Sequence, residues 1–144
     1  MSSGNWHDSI AFEQHRTSRA EIAGLLAHAD RCLADGSAEG ISPETRHAAT
    51  HNAAVYLAKA ALAACGFRTT ESHHYWMIES LRHTVGLPDH ETKRLHAHRK
   101  KRHASSYEYD GIVSDTEVAE FLEAVRDLRS VVRGWLAAHH PDLA

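Results

Sequence analysis

The chain has little of what staples, kinks or punctuates a fold. Its two cysteines, Cys32 and Cys65, stand alone 33 positions apart, so they form neither a metal-binding nor a redox pair. Free thiols in a reducing, cytoplasmic setting are the expectation. The first residues, Met1 to Asp8, have neither the basic start nor the apolar run of a secretory leader. The longest apolar stretches, such as Ala60 to Cys65, fall far short of the roughly 20 residues a membrane span needs. Only three prolines occur, Pro43, Pro88 and Pro141, each where a helix would begin or has already ended. An excess of positive charge is missing too: the net charge is −3, which excludes a wholly basic nucleic-acid coat protein. The 144 residues, 42% of them hydrophobic, suffice for one core and exclude a multidomain enzyme.

What is present reads as helix. Ile22, Leu25, Leu26, Ala29 and Leu33 make one stripe over about 18–35, closed by Gly36. Ser42 caps a second helix, with Pro43 in its first turn, that runs to Cys65 and carries nine alanines between Ala48 and Ala64. Side chains that small let neighbouring helices approach closely, which puts this helix at the centre of a bundle. Met77, Ile78, Leu81 and Val85 mark a third over 72–85. A fourth, from about Asp89, is so poor in apolar residues that it rests on propensity and its cap. The last has a capping box, Ser114 with Glu117, followed by Val118, Phe121, Leu122, Val125, Leu128, Val132, Trp135 and Leu136 at helical spacing. No stretch alternates with period two. The expectation is an all-α, up-and-down bundle of four to five helices over 18–138. Residues 1–17 form a frayed extension or short extra turn, and 139–144 a tail.

Fourteen histidines invite a metal reading. Glu44 with His47 and Glu71 with His74 have the Glu-x-x-His spacing of carboxylate-bridged metal sites. Both pairs open helices that would run antiparallel, which sets them about 34 Å apart at opposite ends of the bundle. His47 and His51, and His96 and His98, lack Glu or Cys company. They read as solvated surface, so neither metal nor cofactor is expected.

The most informative stretch is Lys93 to Gly111. Its first eleven residues hold six Lys or Arg, three His and no acid, a concentration of charge that calls for an anion. Arg94, Arg99, Lys100, Lys101 and Arg102 are the candidate RNA-phosphate contacts, and Tyr107 and Tyr109 add stacking faces. The competing readings are a solvated face and, for Arg102, an ion pair with Glu108 or Asp110.

Here the chain resembles the HEPN domains, small helical bundles of RNA-cutting toxins and defence proteins. Their mark is Arg, four to six residues, then His, extended to R-x-x-x-x-H-x-Y in toxins paired with a minimal nucleotidyltransferase. Arg102 takes the Arg place, Tyr107 falls where the His belongs and Tyr109 matches the terminal Tyr. The Ala-rich helix with Tyr56 and Lys59, the Gly66-Phe67-Arg68 break, His73-His74 and the long final helix follow in the same order, so the resemblance covers about Arg19 to Ala138. It implies a homodimer that cuts RNA without a metal, with Arg102 stabilising charge on phosphorus. It also implies Tyr109 as the residue that a nucleotidyltransferase-type antitoxin would modify. A phenol, with an unperturbed pKa of about 10 against about 6.5 for imidazole, is a poor base at neutral pH. His103, one turn before Tyr107, is the substitute candidate beside Tyr107 itself. A non-catalytic RNA- or nucleotide-binding HEPN protein and a dimeric helical interaction partner are the alternatives.

Overall fold

The computed structural model describes residues 5–71, 74–105 and 113–144. Five helices carry the fold: α1 (Arg19–Gly36), α2 (Pro43–Ala64), α3 (His74–Thr84), α4 (Asp89–Ser105) and α5 (Asp115–His139). The Ser18, Ser42 and Ser114 side chains each accept the amide hydrogen three residues on, and Glu117 returns the bond at α5. Those caps satisfy amides that have no partner inside the helix. No described helix is long and apolar enough to cross a membrane.

α2 is the central element and packs against all four other helices. Its alanines from Ala53 to Ala63 are almost completely buried, with Leu57 and Leu62 fully so. α5 supplies the bulk: Val118, Phe121, Val125 and Val132 are all 0% exposed. Trp135, read from the sequence as core, is only partly buried and packs at the edge beside His140.

Two features depart from the sequence reading. Phe12–Gln14 (β1) and Phe67–Thr69 (β2) pair as an antiparallel ribbon, Phe12 opposite Thr69. Three residues per strand are too few for a period-two pattern to register. The ribbon draws the N-terminal segment into the fold: after a 3-10 turn at Trp6–Asp8, Ala11 and Phe12 bury against Leu62. Gly66, at φ 92°, makes the turn out of α2 that most side chains would resist.

The second departure is direction. His74 opens α3 beside His51 in the N-terminal half of α2. His83, near the end of α3, stacks on Trp6, which touches Phe67 just beyond the end of α2. So α3 runs in the same sense as α2, against a strict up-and-down order. The nine-residue connection from Cys65 permits it: reaching back from the end of α2 to His51 takes about 20 Å, and nine residues reach roughly 30 Å.

A buried imidazole cluster beside the basic helix

The return of α3 brings histidines from three helices together. On α4, Thr92, Leu95, His98 and Arg102 recur every three or four residues on one face, and Thr92 and Leu95 are buried. This face looked polar because imidazole replaces aliphatic side chains. His47 and His51 on α2 are 0% and 3% exposed, which overturns the solvated-surface reading. His47 Nε2 lies 3.1 Å from His98 Nδ1, and His51 Nε2 lies 3.0 Å from His74 Nδ1. His98 stacks flat on Phe121, with centroids 4.0 Å apart. His74 thus stands beside the third turn of α2, one turn from His47, so the separation argued for the two Glu-x-x-His pairs does not hold. Among the described residues, no group of three or more His, Cys, Asp or Glu is arranged to hold a metal.

Burial keeps these rings neutral. Loss of water around the charged form pushes His47 down to about 4 and His51 to about 3. The same desolvation lowers His74 and His98 below the ordinary histidine range. Arg102 adds to the effect on His47, His51 and His74 through its positive charge, which places its guanidinium within electrostatic reach of all three. Each pair needs a bare nitrogen facing an N–H, so at most one ring of each can carry an extra proton.

The remaining cations of α4 divide into two sets. Lys93 pairs with Asp89 at 3.0 Å, Lys101 with Glu117 at 2.5 Å, and Arg94 donates to the Glu120 carbonyl oxygen at 3.3 Å. Arg94 and Lys101, named above as RNA contacts, therefore fasten α4 to α5. Arg99 instead lies over the Tyr75 ring, 5.3 Å from its centroid, and Lys100 is exposed. His103 belongs to α4, but its side chain lies outside the described residues, as do Tyr107, Tyr109, Glu108 and Asp110. Beside His74 opens a cleft of about 250 Å³, lined also by Asn52, Val55, Tyr56, Lys59 and Met77.

Of the sequence candidates, Arg102 lies within electrostatic reach of the cluster and Arg99 reaches over Tyr75, while Lys100 is exposed. His47, His51, His74 and His98 are functional candidates that sequence reasoning set aside. Their signal was present in the one-turn spacing of His47 and His51 inside an alanine-rich, inward-facing helix. Compared with family models, curated proteins and solved structures, the chain matches none.

A neutral imidazole at a cleft beside a fixed positive charge has a definite chemical capacity. The imidazole accepts a proton at neutral pH, and the guanidinium holds an anionic oxygen. His74 is the member that lines the cleft, while His51 is buried behind it.

Proposed function

We propose that this chain is a HEPN-like, RNA-directed protein that cleaves RNA without a metal ion, acting as a dimer. The observation that carries this reading is the neutral His51–His74 pair within the field of Arg102. With its Nδ1 hydrogen donated to His51, His74 presents the Nε2 lone pair to the cleft as general base. It takes the 2'-hydroxyl proton, the 2'-oxygen attacks phosphorus, and the 5'-oxygen leaves and takes up a proton from water, His74 afterwards returning its own proton to the solvent. Arg102 stabilises the negative charge that grows on the phosphoryl oxygens. The products are a 2',3'-cyclic phosphate and a 5'-hydroxyl end. Arg99 and Lys100 guide the strand. Tyr109 is the site at which a nucleotidyltransferase-type antitoxin would attach a bulky anionic group and close the cleft to RNA.

The test is incubation of unstructured RNA with the purified protein in chelator, resolving the products. Cleavage by the wild type is expected, with a loss of about 100-fold or more in Arg102→Ala and His74→Ala. Tyr107 at the motif position of the His favours one other reading, a binding protein without cutting activity. Salt-dependent RNA affinity with no cyclic-phosphate product selects it.

A further inference from the structure

The residues immediately after His74 are two aromatics left in water. Tyr75 is 43% and Trp76 38% exposed. Both are held in fixed orientations. The His96 ring stacks on Tyr75, at 4.7 Å and 23°, and Glu79 fixes His96 at 2.9 Å. Arg99 donates to His96 Nδ1 at 3.3 Å and reaches over Tyr75. Trp76 meets Tyr75 edge-on at 5.0 Å and Phe12 at 6.2 Å. Orienting these rings before any ligand arrives lowers the entropy lost on binding.

We infer that Tyr75 and Trp76 form a stacking platform for an unpaired base of a single-stranded nucleic acid whose backbone runs past Arg99 and Arg102. The inference rests on the nucleic-acid reading above and deepens it to a substrate class. Charge selects the occupant: Arg99 reaches over the Tyr75 ring, and Glu79, the neighbouring acid on α3, is engaged by Arg82 and His96. An apolar protein partner would have to desolvate that cationic edge, whereas a strand brings both a phosphate for it and a π face for the rings. A duplex keeps its bases stacked inside, out of reach of such a platform.

The experiment is fluorescence anisotropy of the full chain with a short unstructured RNA, a DNA strand of the same sequence, and an RNA duplex. Tyr75→Ala and Trp76→Ala should each weaken both single strands by about 5- to 150-fold and leave the duplex unchanged. Tyr75→Phe and Trp76→Phe should restore most of the affinity, because the π face returns. Thermal unfolding alongside checks that each variant is folded. Single-strand affinity unchanged in both alanine variants, while Arg102→Ala still abolishes it, overturns the platform and leaves the RNA reading standing. Equal losses on duplex and single strand also overturn it. So does a dimer in sedimentation that Trp76→Ala dissociates with no change in affinity, since a second copy would then be the occupant. No binding of any strand by the wild type at low salt removes both this inference and the reading beneath it.

Discussion

Protonating His47 or His51 puts a charge where there is no water to solvate it, and the cost falls on the folded state. Both bind a proton more weakly folded, near 4 and 3, than unfolded, near the ordinary 6.5. Between those values the unfolded chain holds the extra protons. Their contribution to stability is therefore complete above about pH 6.5 and drains away as pH falls, by up to about 1.4 kcal/mol per unit for each ring. Denaturant unfolding at pH 7 and pH 5 should differ by roughly 2 to 4 kcal/mol, with His51→Leu showing a smaller difference. Equal stabilities at the two values would mean the rings are hydrated. Nothing in the residue count of histidine conveys this. What the sequence does carry is that His47 and His51 share a face with Thr50, Ala54 and Ala58 of an alanine-rich helix, and that face points inward.

At the level of the helix, α5 and α4 show opposite degrees of legibility. Every inward position of α5 is aliphatic or aromatic, and its capping box is explicit, so its extent and buried face were both readable. Phe121→Ala, which removes a fully buried ring lying against His47 and His98, should cost about 3 to 5 kcal/mol in chemical denaturation. A change under about 0.5 kcal/mol would contradict its place in the core. α4 buries Leu95 and Thr92 and half-buries His96 and His98, a face that hydrophobic periodicity does not weigh. The α1–α2 junction adds a close approach that spacing alone could not reveal. A Cβ on Gly36 would collide with Thr50 Oγ1 and press on Leu122. Gly36→Ala should therefore destabilise by about 1 to 3 kcal/mol despite alanine's better helix propensity. A stabilised variant in thermal melts would show that the two helices can separate there.

For the whole molecule, helix number, order and the central place of α2 followed from periodicity and caps. The two-stranded ribbon and the direction of α3 did not, because they depend on a connection long enough to reverse course, which has no local signature. That one reversal is what assembles the cluster: an antiparallel α3 would hold His74 at the far end of α2 from His51 and Arg102. The basic run stood out in the sequence, but Arg94 and Lys101, two of its six Lys and Arg, fasten α4 to α5, and only the fold distinguishes Lys101 from Lys100. The central claim, that a buried-pair imidazole and not a phenol performs the proton transfer, is tested most directly by the pH dependence of single-turnover RNA cleavage. His74 titrates below 6.5 because burial disfavours its charged form, and a general base works when unprotonated. The rate should already be on its plateau at pH 7 and fall only on acidification below the ordinary histidine range, with the limb absent in His74→Ala. A rate that climbs steadily toward about pH 10, the range of a phenol such as Tyr107, would contradict the account.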